Sequence, residues 1–339
     1  MVGRRAGFNF LAKLKMEQFP SLSIVIPSWN QGHFIERTLL SILRQDYPGS
    51  VQVIVSDGGS KDDTVTVLRK YDSQITWWSV RDEGYVDAVT KGLAHVTGEI
   101  VAIQSSDDYY LPNAFRHMAV GFQRYPQAGF ISGGEFAIDL QGQVEYANSF
   151  AEPITPHTIL FKFIPPQHAT FVRRETLIRV GKMRLEVDMC ADIDLWYRVA
   201  HLTPGQAIPE MMAVYQLHPQ QRTSTSPNWY PSLVKMVESC EANEEYGSHF
   251  HLTDDERHNL YAYWEINWTG KRDPAEARPL AFRKLPQLLS YSPRTRRMIL
   301  GASINLLIKR VLPSVVVRRL RPFAPILANA LPDLQWWKH

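Results

Sequence analysis

An α/β fold, with a mostly parallel sheet covered by helices on both faces and a mainly helical C-terminal region after it, is predicted by three features of the sequence. Between 22 and 133 the apolar residues switch repeatedly between strand and helix periodicity. Polar clusters follow four successive strands of that stretch: Pro27, Ser28, Trp29 and Asn30, then Asp57, Gly58, Gly59 and Ser60, then Asp82, Glu83 and Gly84, then Ser106, Asp107 and Asp108. Beyond 225 the periodicity turns helical and stays so.

The elements follow in order. The β-branched run 22–27 reads as a strand and 33–44 as a helix; 51–56 is a strand and 62–71 a helix; 75–80 is a strand and 86–96 a helix; 99–104 is a strand and 112–124 a helix. Strand and helix units of this length stack into a parallel sheet with helices on both faces. Ligands of such sheets bind beyond the carboxyl ends of the strands, which is where the polar clusters fall. Further helices are expected at 230–246, 254–268, 274–291 and 293–311, with a boundary near Ser226 and Pro227 that divides the chain into 20–225 and 226–339.

Composition narrows the class. With 339 residues, 45% hydrophobic and 21% charged, the chain is globular and long enough for two domains. Cys190 and Cys240 are its only cysteines, which excludes a disulfide framework or a cysteine-built zinc site and fits a reducing compartment. Lys13 and Lys15 interrupt the apolar start, so no secretory signal is expected there. The net charge of +3 hides an asymmetry: 271–321 carries thirteen Lys or Arg against two acids, a net of +11 that leaves −8 for the rest. The uncharged run 298–308 within that segment is too short to span a bilayer, which takes about 20 residues.

Asp107 and Asp108 are the sharpest chemical signal. Two like charges about 4 Å apart repel by roughly 4 kcal/mol at an effective dielectric near 20, so a pair at a strand end calls for a cation, a proton or open water. Mg²⁺ and Mn²⁺ favour one or two protein carboxylates together with phosphate oxygens. A solvated turn or a helix cap before Leu111 is the alternative at this point.

Five segments in order resemble the inverting family 2 glycosyltransferases, which have the GT-A fold, a Rossmann-like arrangement: 23–30 (SIVIPSWN), 53–64 (VIVSDGGSKDDT), 81–92 (RDEGYVDAVTKG), 98–108 (GEIVAIQSSDD) and 191–198 (ADIDLWYR). The resemblance implies a catalytic domain over 20–225 that uses a nucleotide-diphosphate sugar. It places Pro27, Asn30 and Asp57 around the nucleotide base, and Asp82, Asp87 and Lys91 on the donor side, although Thr90 replaces the family's usual Asn. Asp107 and Asp108 take the place of the DXD motif that holds ribose and a divalent cation, Mg²⁺ or Mn²⁺, with Asp108 favoured for the metal.

Asp192 and Asp194 lie two residues apart, so on a helix they point nearly opposite ways and only one reaches the acceptor. Position in the family's pattern implies Asp192 as the base, with Ala191 standing where an acid is usual. His168 resembles an acceptor-side segment, while His218 falls in a polar loop whose imidazole would complete the metal shell and whose Arg222 would meet a phosphate oxygen. A lone histidine is more often structural than a ligand.

The expected activity is transfer of the sugar, with inversion, to a hydroxyl of a glycan acceptor. The basic segment, with its interleaved apolar residues and the terminal Trp336 and Trp337, points to an anionic membrane surface and a lipid-linked acceptor. The expected location is the cytoplasm, peripheral on the inner face of the membrane. Nucleic acid is not expected as a partner, because no recognised motif accompanies the charge. The alternatives are a nucleotidyltransferase, which should carry a glycine-rich basic loop after the first strand where PSWN stands, and a sugar-nucleotide-binding scaffold, which should have lost its carboxylates.

Overall fold

The computed structural model describes residues 19–225, 228–242, 252–254, 257, 260, 261 and 265. The first half of the fold repeats strand and helix as expected: β1 (Leu22–Ser28), α1 (Ile35–Leu43), β2 (Val51–Asp57), α2 (Thr64–Arg69), β3 (Thr76–Ser79), α3 (Tyr85–Leu93) and β4 (Ile100–Ile103). The pairings β1 with β2, β1 with β4 and β2 with β3 are all parallel. Their order, β3-β2-β1-β4, reverses direction at β1, and such a reversal opens a crevice beyond the strand ends.

The second half is mixed. It comprises β5 (Tyr109–Tyr110), α4 (Ala114–Arg124), β6 (Phe130–Ile138), β7 (Val144–Asn148), β8 (Pro153–Ile154), α5 (Pro156–Phe161), β9 (Thr170–Arg173), α6 (Arg174–Val180), α7 (Ala191–Leu202) and β10 (Gly205–Gln216), then α8 (Arg222–Thr225) and α9 (Trp229–Glu241). β9 runs antiparallel to both β4 and β6, whereas β6 and β10 are parallel to each other. β5 pairs antiparallel with β10 through Tyr110 opposite Ala213, and this short ladder folds the end of β10 back over the end of β4.

Alternation along β1 feeds two cores. Leu22, Ile24 and Ile26 pack with Ile35 and Leu39 of α1, Leu68 of α2 and Phe115 of α4. On the opposite face Val89 of α3, Ile103, Phe130 and Trp196 of α7 form the second cluster. Gly92 lets α3 lie flat on β1, since a Cβ there would stand 2.3 Å from Val25 Cγ1. β4 ends at Ile103, opposite Val25, so the missing N–H of Pro27 falls where β1 has no neighbour on that side.

Leu233, Val237 and Cys240 of α9 join the same cluster as Trp196, so the core extends past the break expected at 226–227. The helices expected at 274–291 and 293–311 and the basic segment 271–321 lie outside the described residues, and the one at 254–268 is described at a few positions only. Among the described residues no helix is long and apolar enough to cross a membrane.

Candidate active site at the strand rim

Two groups of side chains stand at the rim. The first lies beyond β1, β2 and β3. Asp57 ends β2 fully buried, and its carboxylate accepts from the Ser60 hydroxyl (2.5 Å), the Ser79 hydroxyl (2.6 Å), and the backbone N–H groups of Ser60 (2.9 Å) and Gly59 (3.2 Å). Four donors fill the capacity of a carboxylate. The sequence placed Asp57 against the base; in the structure its carboxylate is turned onto Ser60, Ser79 and the Gly59 N–H.

Asn30, at φ 52° in the left-handed region that Asn tolerates, ties the β1 turn to the β2 turn. Its Oδ1 accepts from the Lys61 N–H (2.9 Å) and its own N–H donates to Ser60 Oγ (2.7 Å). Between Pro27, buried in β1, and this loop stands Trp29, 64% exposed. Asp82 accepts from the Gly84 N–H (2.9 Å) and lies so close to Gly58 that a Cβ there would come within 2.7 Å of its Oδ2. Asp87 and Lys91 pair with each other along α3 (2.7 Å), and the Lys91 ammonium, with the Glu83 N–H, holds the Asp87 carboxyl below its usual range.

The second group lies beyond β4. α1 fastens the 106–108 turn through the Thr38 hydroxyl, 2.9 Å from the Ser106 carbonyl and 2.6 Å from that of Asp108, and through Arg37 Nη2 on the Asp107 carbonyl (3.3 Å). The end of β10 then reaches over: the Gln216 N–H donates to Asp108 Oδ1 (2.9 Å), and two residues later His218 Nε2 stands 3.0 Å from Asp107 Oδ2. The His218 ring stacks on Phe34 at 4.6 Å, and its buried Nδ1 has no hydrogen-bond partner among the described residues.

His168 comes from the 3-10 turn Gln167–Ala169 that leads into β9. The sequence put it on the acceptor side; its contacts are with Asp108 Oδ2 (Nδ1, 3.4 Å) and with Glu135 Oε2 on β6 (Nε2, 2.7 Å). Burial, Asp107 and Glu135 raise the Asp108 carboxyl, opposed by His168 and the Gln216 N–H. Burial alone would lower His168, but Asp108 and Glu135 outweigh it and raise it. The side chain of Asp108 is 2% exposed and that of Asp107 18%, so Asp107 is the carboxylate open to the rim.

Asp192 lies in the first turn of α7, one residue inside a helix that begins at Ala191 with Cys190 at its cap position. It is half-buried and has no ion pair among the described residues. Burial raises its carboxyl, against the pull of the Ile193 N–H, Arg222 and His168. Asp194, on the other side of the helix, is fully buried between Arg184 (Nε, 3.1 Å) and Arg198 (Nε, 2.9 Å). Arg222 pairs with Asp188 and lies 5.5 Å from the ring centre of Tyr85. The Tyr85 hydroxyl, bonded to Gln167 Oε1 (2.5 Å), is raised by burial and then by Asp192, so α3, the 3-10 turn and α7 meet there.

Thus Asp107, Asp108, His168 and His218 share one cluster, with Asp192 and Arg222 in electrostatic reach of His168 and Asp192 respectively. Sequence reasoning missed Trp29, Tyr85, Glu135 and Gln216. Tyr85 had a signal, since it follows the Asp82 turn directly; Gln216 had none, because it acts through its backbone N–H.

Residues 23–184 match the sequence profile described as Glycosyl transferase family 2. An uncharacterized glycosyltransferase of Rickettsia typhi is 24% identical over 218 residues, 62% of this chain and 68% of its own. One of Mycobacterium tuberculosis is 25% identical over 187 residues, 55% of this chain and 71% of its own. Among solved structures, residues 1–349 of Staphylococcus aureus TarS, in complex with UDP-GlcNAc, superpose with a TM-score of 0.58 at 15% identity, over 94% of this chain and 89% of that one. The mannosyltransferase PcManGT of Pyrobaculum calidifontis, in complex with GDP-Man and Mn²⁺, gives 0.54 at 18% identity, over 95% and 84%. These two share the fold. The segment 23–184, which contains the strand rim and the aspartate pair, matches glycosyl transferase family 2.

Proposed function

We propose that the protein transfers a sugar from a nucleotide-diphosphate sugar to a hydroxyl of a glycan acceptor in a single inverting displacement. One observation carries the reading: a carboxylate open to the rim, Asp107, stands against the buried imidazole of His218 at a strand end, and a separate carboxylate without an ion pair among the described residues, Asp192, lies in the first turn of α7. The first pair suits a donor's diphosphate and the second an acceptor's proton.

The residues present fit a divalent cation. Among the described residues no group of three acids, histidines or cysteines is arranged to hold a metal ion by itself, so Asp107 and His218, whose Nδ1 has no hydrogen-bond partner among the described residues, would share Mg²⁺ or Mn²⁺ with phosphate oxygens and water. Asp108, favoured for the metal by sequence, backs the pair from inside, its oxygens turned to Gln216 and His168. When bound, the cation supplies positive charge against the departing diphosphate. PcManGT, which shares the fold, is in complex with GDP-Man and Mn²⁺, and this supports a divalent cation as such.

Asp192 accepts the proton of the attacking hydroxyl, and its pKa, raised by burial, strengthens it as a base. Arg222 meets a phosphate oxygen by exchanging Asp188 for the donor. Trp29 offers the exposed flat face on which a nucleobase stacks. Asp57, Asn30, Asp82 and the Asp87–Lys91 pair fix the loops around it. A nucleotidyltransferase is disfavoured because PSWN at the end of β1 is no basic glycine-rich loop for a triphosphate, and a scaffold because the carboxylates are present.

Incubation of the full chain with uridine, thymidine and guanosine diphosphate sugars, with Mn²⁺ or Mg²⁺, is expected to release the nucleoside diphosphate from one of them and to stop on chelation. No release from any donor with any acceptor extract would contradict the reading. Trp29→Ala is expected to weaken binding of that diphosphate by about 1–3 kcal/mol, read by calorimetry.

The acceptor is assigned to a lipid-linked glycan at the cytoplasmic face of a membrane. If four of the thirteen basic residues of 271–321 face an anionic leaflet, they contribute about 4 kcal/mol. Full-length protein is expected to float with anionic liposomes, and a variant with these residues changed to Gln to stay in the soluble fraction; equal flotation would count against the assignment.

A further inference from the structure

Glu135 is buried on β6, outside every segment that carries the family resemblance, yet its carboxylate points at the back of the donor rim. Asn148 Nδ2 donates to its Oε1 (3.1 Å), which fixes the carboxylate from β7. Its Oε2 faces His168 Nε2 at 2.7 Å, and the opposite ring nitrogen faces Asp108 Oδ2 at 3.4 Å. Tyr215 stacks parallel to the ring, with 5.6 Å between centroids and 3° between planes, so the imidazole cannot swing away.

The imidazole thus has a carboxylate oxygen beside each of its nitrogens, Asp108 on one side and Glu135 on the other. The result is a strut of contacts from β6 through the 3-10 turn to the turn that follows β4. Asp108 is then clamped from two sides, by the strut on Oδ2 and by the Gln216 N–H on Oδ1. A clamped Asp108 fixes the turn whose next residue back, Asp107, faces His218. Residues one step removed from a cation commonly set its affinity, by 10–100-fold, through the orientation they impose on its ligands.

We propose that His168 and Glu135 are positioning residues of the donor site: together they hold Asp108, and through it Asp107, in the arrangement that receives the cation and the diphosphate. They touch neither donor nor acceptor. This rests on the donor-site reading given above and adds to it the part of the fold that sets the site's geometry. It replaces an acceptor-side role for His168 with a structural one toward the donor.

The test is calorimetric binding of UDP and of GDP to the full-length protein, with Mn²⁺ and with EDTA, for wild type, Glu135→Gln, His168→Gln and the double variant. Glu135→Gln preserves volume and the contact with Asn148, so it keeps the test open if the His168 variant folds poorly; melting temperature monitors both. Expected is a 10–100-fold loss of Mn²⁺-dependent affinity in each single variant, no change in the affinity measured in EDTA, and a double variant no weaker than the worse single one, because both remove one strut. Unchanged Mn²⁺-dependent affinity in the single variants would overturn the inference. So would equal losses with and without Mn²⁺, since these report a general loss of structure. If wild type itself binds neither diphosphate with Mn²⁺, the donor-site reading fails and the strut's role with it.

Discussion

Asp192→Asn is expected to keep donor binding and to lose about 10²–10⁴-fold in turnover, the span a positioned general base supplies. The amide matches the carboxylate in shape, so α7 and its neighbours stay in place; what disappears is the group that takes the acceptor's proton. The pH profile supplies a second check. Burial raises the Asp192 carboxyl, and the base works only when deprotonated, so the acid limb of kcat/KM should lie above the ~3.9 of a free aspartate. Activity falls as pH drops through that raised pKa, and in Asp192→Asn the limb should vanish from whatever rate remains. Donor binding by calorimetry and turnover by diphosphate release separate the two quantities. Equal turnover in the variant would remove Asp192 from the role.

Asp194→Ala, two residues away, is expected to do the opposite kind of damage. Asp194 is fully buried and holds the guanidinium groups of Arg184 and Arg198, and Arg198 in turn donates to the carbonyls of Val180 and Lys182. Removing the carboxylate strands a buried cation, a change that costs about 3–5 kcal/mol. The melting temperature should fall by several degrees, and residual activity should scale with the folded fraction. A variant as stable as wild type but inactive would instead make Asp194 a catalytic residue. Two acids at i and i+2 on one helix thus have separable tasks, one in the core and one at the rim.

How much of this was legible in the sequence depended on the range of the interaction. The β1 to β4 units appeared in order because each is encoded by local periodicity, such as the alternation of Leu22, Ile24 and Ile26 against Val25. The aspartate pair was legible because two adjacent acids at a strand end are unusual wherever they occur. Its surroundings were not. Asp108 is held by the N–H of a residue 108 positions away, and every residue but proline has such a group. Glu135 reaches the site because β9 inserts antiparallel between β4 and β6, a pairing that no apolar pattern announces.

Asp57 shows the converse limit. Its sequence context, an acid followed by two glycines and a serine after a strand, marks a turn at the rim, but not which way the carboxylate points. The structure turns it inward onto Ser60 and Ser79. Asp107 and Asp108, adjacent in sequence, likewise differ in a way the sequence does not announce, at 18% against 2% exposure of the side chain.

The most direct test of the donor site is anomalous diffraction from crystals of the full-length protein grown with Mn²⁺ and UDP or GDP. The expected result is a single manganese peak coordinated by Asp107 and His218, with the diphosphate beside it and the base toward Trp29. Manganese and diphosphate bound away from the ends of β1 and β4, with Asp107 and His218 contacting neither, would contradict it.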